Sequence, residues 1–207
     1  MKKYLTEFIG TFFLVLVVGL CVVGIGAGAM SPLAIGATLM VMVYAGGHIS
    51  GGHYNPAVTL AVWMRGKCET KDVPGYMAAQ FVGAIVASLL VGYFKQDSLL
   101  VPANPNLLHA FLAEMIFTFA LAYVVLNVAT SPGTAGNSFY GLAIGMTVMA
   151  AAYAAGPISG GAFNPAVALG ITLMGISKGQ VLWVFLVGNF SGGALAAVVY
   201  KFITSQE

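Results

Sequence analysis

A chain of 207 residues that is 59% hydrophobic and only 7% charged cannot cover a soluble surface, because soluble domains carry about 25% charged residues. The mean hydropathy of +0.94 indicates a membrane protein. A net charge of +2, dispersed along the chain, excludes a nucleic-acid partner.

Met1-Lys2-Lys3 and the apolar run behind it resemble the start of a secretory signal. The run continues without a charge from Phe8 to Gly26 and has no obvious cleavage site. It is long enough to cross about 30 Å of hydrocarbon, so it is expected to remain as a first span. Apolar runs separated by turn residues predict six crossings, at residues 4–27, 33–50, 75–95, 108–128, 138–155 and 178–202. Asn55 to Gly66 and Asn164 to Gly175 are also apolar but too short to cross. As helices they would rise roughly 15–18 Å, about half the hydrocarbon thickness. The segments Gln96 to Asn106 and Thr130 to Asn137, rich in Pro and Gly, read as connectors. Cys21 lies inside a span and Cys68 in a charged loop, which does not read as a disulfide pair.

The chain is a duplication. Ile49-Ser50-Gly51-Gly52-His53-Tyr54-Asn55-Pro56-Ala57-Val58-Thr59-Leu60 returns 109 residues later as Ile158-Ser159-Gly160-Gly161-Ala162-Phe163-Asn164-Pro165-Ala166-Val167-Ala168-Leu169, identical at nine of twelve positions. At the same offset Gln80-Phe81-Val82-Gly83-Ala84 is echoed by Asn189-Phe190-Ser191-Gly192-Gly193, and two residues out of step Glu7 is echoed by Glu114. The single domain, residues 1–207, therefore divides into a first repeat, 1–107, and a second, 108–207. Three crossings per repeat is an odd number, so the second repeat is inverted in the membrane. The two half-helices would enter from opposite faces and meet near the midplane. Basic residues favour both termini inside, with Lys2, Lys3, Arg65, Lys67, Lys71 and Lys201 cytoplasmic against Lys95 and Lys178 outside.

Non-helical backbone in mid-membrane is tolerated only where protein buries it or where it lines a wet cavity. Asn is a strong helix cap, and Pro at the next position loses no hydrogen bond. Asn55 and Asn164 should therefore cap the half-helices and keep their amide NH₂ groups free for a passing solute. Two helix N-termini aimed at one point, each carrying about half a positive charge, would oppose cations and let neutral solutes through. Glu7 and Glu114 are carboxylates inside the spans, read either as a proton relay or as acceptors for the backbone of the adjacent re-entrant loop. His53 is a candidate for lining the path or supporting its loop, and His48 reads as a packed core residue. No His, Cys and carboxylate spacing suggests a metal site, no cofactor is implied, and no nucleophile and base suggest an enzyme. Gly83, Gly92, Gly141, Gly145, Gly188 and Gly192 fall at spacings suited to close helix crossings.

The paired Ser-Gly-Gly-x-x-Asn-Pro-Ala segments, the acidic residue near the start of each repeat and Gly192-Gly193-Ala194-Leu195 in the last span resemble the major intrinsic protein family, the aquaporins and aquaglyceroporins. The resemblance covers nearly the whole chain. It implies an all-α membrane fold of six transmembrane helices and two re-entrant half-helices, and a homotetramer in a cell membrane. It also implies a passive channel, with Asn55, Pro56, Ala57, Asn164, Pro165 and Ala166 at the centre. The four positions of the family's outer constriction fall on Ile35, Ala152, Gly161 and Val167. Water-selective relatives place Phe, His, a small residue and Arg there, and glycerol channels Trp, Gly, Phe and Arg; this chain has no aromatic residue, His or Arg at these positions. Plant vacuolar members with Val at the Arg position resemble it in part. Ala168 stands where glycerol channels often carry Asp, and Asn189 where many members carry Pro; Asn189 is a candidate to donate a helix-to-helix hydrogen bond. The expectation is water together with larger neutral solutes such as glycerol, urea, ammonia or hydrogen peroxide. The alternatives are an alternating-access transporter, since inverted repeats with broken helices also build those, or a weakly cation-leaky channel.

Overall fold

The computed structural model describes residues 1–98 and 101–204; Leu99 and Leu100 of the 96–106 connector lie outside them. Eight α-helices follow in order: α1 Lys2–Val22, α2 Ser31–Ser50, α3 Pro56–Met64, α4 Val73–Phe94, α5 Leu107–Thr130, α6 Tyr140–Ser159, α7 Pro165–Leu173 and α8 Leu182–Thr204. Among the described residues six helices are long and apolar enough to span a bilayer. The protein is a multi-pass integral membrane protein. The half-helices α3 and α7 have nine residues each, a rise of about 13–14 Å at 1.5 Å per residue.

Local chemistry sets the boundaries. The first helix ends at Val22, short of the predicted residue 27, because Val23 turns extended and Gly24 and Gly28 follow at φ 64° and 53°. The sixth runs past the predicted residue 155 to Ser159, carrying Pro157 near its last turn, where the ring removes only one internal hydrogen bond. Both α2 and α6 end on a left-handed glycine, Gly51 at φ 90° and Gly160 at φ 101°. A Cβ would be strained there, and the turn sends the chain back toward the middle of the bundle.

Packing interlocks the repeats. The first helix lies against α2 and α4, and α5 against α6 and α8 in the same way. Each half-helix, however, packs on the other repeat, α3 on α8 and α7 on α4, while α2 meets α6 across the pseudo-two-fold axis. Glycines permit these crossings: a Cβ on Gly145 would lie 2.5 Å from the Gly36 carbonyl oxygen, and one on Gly83 would lie 2.7 Å from that of Phe8. Gly92 is different from the sequence expectation, because it faces open space. Gly92→Ala is therefore expected to raise the unfolding temperature in detergent through a gain of about 0.5–1 kcal/mol in helix propensity. Gly145→Ala should lower it by separating α2 from α6; equal effects at the two sites would contradict this packing.

Candidate functional site

The two half-helices begin with the same cap. Asn55 accepts at Oδ1 from the Ala57 and Val58 N–H groups at 2.9 and 3.4 Å, and Asn164 accepts from Ala166 and Val167 at the same two distances. The amide nitrogens are less free than the sequence suggests. Asn55 Nδ2 donates to the Phe163 carbonyl at 2.9 Å, and Asn164 Nδ2 donates to the Tyr54 carbonyl at 2.8 Å. One amide hydrogen of each Asn thus ties its half-helix to the opposite loop, leaving one for a solute.

The acceptors in this clasp are produced by unusual backbone. Tyr54 and Phe163 both sit at φ 48°, the left-handed region that non-glycine residues rarely enter. The strain, on the order of 1–3 kcal/mol per residue, is held by burial and by the two carboxylates. Glu7 accepts at Oε1 from Ser50 Oγ at 2.6 Å and the His53 N–H at 3.0 Å, and at Oε2 from the Tyr54 N–H at 2.6 Å and Gln80 Nε2 at 2.8 Å. Glu114 accepts from Ser159 Oγ at 2.7 Å, Ala162 N–H at 3.0 Å and Phe163 N–H at 2.6 Å. The Tyr54 ring fills a slot left by Gly10 and Gly46, its hydroxyl donating to the Met42 carbonyl at 3.0 Å.

Sequence reading did not single out Ser50, Ser159, Tyr54, Phe163 or Thr59, although the serines were visible as matched positions of the repeat. Gln80 and Asn189 also match across the repeat but act differently. Gln80 bridges Glu7 and Thr59 Oγ1, at 2.8 and 2.9 Å. Asn189 makes the anticipated helix-to-helix bond, but its side-chain oxygen accepts, from Thr118 Oγ1 at 2.9 Å.

One cavity joins the predicted positions. Its lining includes Ile35, Ala152, Gly161 and Val167, then Asn55 and Asn164, then His53. The rest of the wall is mostly apolar, with Leu14, Val18, Leu39, Leu121 and Val125 among its residues. Ile35, Ala152 and Gly161 also border a vestibule at one end, and His53 and Val125 border another at the opposite end, beside Lys67 and Thr130. The His53 ring is held by Nδ1, 3.1 Å from Thr59 Oγ1. His48 does not pack in the core as expected: it is exposed and lines a second cavity on the same face, which also borders Lys67. Glu7 and Glu114 are fully buried behind the loops and do not line the cavity. Among the described residues no group of three or more His, Cys, Asp or Glu side chains is placed to hold a metal ion.

Comparison with known proteins places this architecture. The profile of the major intrinsic protein family matches residues 1–200. The chain belongs to that family. Aquaporin NIP1-4 of Oryza sativa subsp. japonica is 39% identical over 98% of this chain and 77% of its own length. Glycerol uptake facilitator protein-like 6 of Lactiplantibacillus plantarum is 38% identical over the full length of both. The X-ray structure of the aquaglyceroporin from Plasmodium falciparum superposes with a TM-score of 0.81 over 99% of this chain and 97% of its own, at 24% identity, a likeness of fold. Members of the major intrinsic protein family are membrane channels for water and glycerol-type small solutes and are not enzymes.

In this family member each carboxylate answers backbone N–H groups that would otherwise be buried without a partner. Ala162 and Phe163 bond to different oxygens of Glu114, so Glu114→Gln turns an amide donor toward one of these two N–H groups. Breaking buried charge-assisted bonds of this kind costs about 3 kcal/mol, so a clear drop in unfolding temperature and in the yield of monodisperse protein is expected. Glu114→Gln with wild-type stability would show that the loop does not depend on the carboxylate.

Proposed function

We propose that the chain is a passive channel for water and small uncharged solutes of the glycerol, urea, ammonia or hydrogen peroxide class. In this reading Ile35, Ala152, Gly161 and Val167 form a wide, apolar constriction. The observation that carries the reading is the single cavity lined both by those four residues and by the two capping asparagines. At its centre Asn55 and Asn164 each offer one amide hydrogen to a solute oxygen. The N-termini of α3 and α7 add a positive field that opposes cations; opposed half-helices in aquaporin-type pores are the general example of this effect. With Val at position 167 and no aromatic wall, the constriction discriminates by size less than one built from Phe, His and Arg.

Two relatives named for water and glycerol transport support the solute class. A channel is favoured over an ion-coupled transporter because the oxygens of Glu7 and Glu114 are already occupied by donors from the loops and the helices beside them. The excess of Lys and Arg on the face shared by the termini supports both termini being cytoplasmic. The proposed location is a cell membrane, and the proposed assembly a homotetramer, as the family resemblance implies. Stopped-flow measurements on proteoliposomes should give water, glycerol and urea fluxes that grow linearly with the gradient. Val167→Arg should slow glycerol and urea by about tenfold, the effect of about 1.4 kcal/mol on a barrier, and water much less. Saturable flux, or equal slowing of all three, would contradict the proposal.

A further inference from the structure

The cavity and the vestibules at its two ends contain a single formal charge among the described residues that line them, and it is Lys67. The residue stands three positions beyond the last residue of α3. Gly66, at φ 79°, turns the chain, and the Lys67 N–H closes the helix on the Val62 carbonyl at 3.0 Å. It borders both cavities on the face shared by the termini and, among the described residues, makes no ion pair.

The neighbouring charges are committed elsewhere. Asp72 takes Lys3 and the Tyr4 hydroxyl, and Glu69 takes Lys71 at 2.6 Å. The Arg65 guanidinium lies 4.9 Å from the Tyr200 ring centroid, on the α8 side. His48 and His53, which share these cavities, bring no negative charge. The C-terminal end of α3 opens on this vestibule with about half a negative charge, which by itself would gather cations. Arg65, the cap residue of α3, and Lys67 both oppose that sign, and of the two only Lys67 lines the cavities. The constriction at the other end, with Val167, has no fixed charge to do the same.

We propose that Lys67 is a specificity-determining residue of the pathway. Its ammonium makes the termini-side vestibule positive and lowers the concentration of cations presented to the central narrowing, standing in for the charge that the constriction lacks. This rests on the channel reading above. The effect multiplies whatever barrier the half-helix ends impose, because flux across that barrier scales with the concentration at its entrance. It acts over roughly a Debye length, about 8–10 Å near physiological salt, and fades as salt rises.

The test is potassium conductance of the reconstituted wild type, Lys67→Gln and Lys67→Glu at about 10 mM and about 1 M salt, with water and glycerol flux measured on the same preparations. Lys67→Glu is expected to raise the low-salt cation leak about tenfold and Lys67→Gln less, with the difference lost at high salt and neutral fluxes unchanged. An unchanged or undetectable leak in Lys67→Glu, with normal neutral fluxes, would overturn the role of Lys67, as would a rise that persists at high salt. Absence of neutral flux in the wild type would instead overturn the channel reading, and the role of Lys67 with it.

Discussion

Each half-helix is tied at its first residue to the loop of the other. Asn55 reaches the carbonyl before Asn164, and Asn164 reaches the carbonyl before Asn55. This reciprocal clasp joins two segments more than a hundred residues apart and fixes the separation of the two helix N-termini. The left-handed backbone of Tyr54 and Phe163 aims the carbonyls. Glu7 and Glu114 hold the N–H groups of the same residues, and the glycines of α1 and α2 leave room for the Tyr54 ring.

The bilayer explains why so many polar groups converge here. A re-entrant loop in hydrocarbon has no water to satisfy its N–H and C=O groups, and each one left alone costs several kcal/mol. Carboxylates at 0% exposure are justified by that demand, since an ionised carboxylate accepts as many as four hydrogen bonds and Glu7 is given four donors. With loop polarity satisfied on the side away from the cavity, the cavity wall can be almost wholly apolar. A solute then meets few polar contacts, chiefly at the two asparagines, which suits rapid passage more than tight binding.

Much of the fold was legible because its signals are local. Uninterrupted apolar runs marked the spans, and Asn-Pro marked the start of α3 and α7 within one residue. The repeat of Ser-Gly-Gly-x-x-Asn-Pro-Ala announced the duplication, and three crossings in each half implied the inversion. What stayed hidden depends on distant partners or on backbone geometry. Nothing in Tyr54 or Phe163 announces a left-handed residue, so the amide hydrogens of Asn55 and Asn164 read as free when one of each is engaged across the axis. His48 read as core because it stands in an apolar run, yet it sits on the vestibule side of α2. Gly92 shares the spacing of packing glycines but has no helix opposite it. Lys67 looked like one of several lysines on the face shared by the termini until it proved to line the cavities there.

The central claim is that the two clasps act as one unit. The direct measurement is a double-mutant cycle on unfolding stability in detergent, with Asn55→Ala, Asn164→Ala and the pair. Each substitution also removes a helix cap, at about 1 kcal/mol, and those losses add. The clasps should not add, because losing one lets the loops separate and weakens the other. The double variant is expected to lose at least about 1 kcal/mol less than the sum of the singles. Additivity within about 0.3–0.5 kcal/mol, the behaviour of independent sites, would contradict the account.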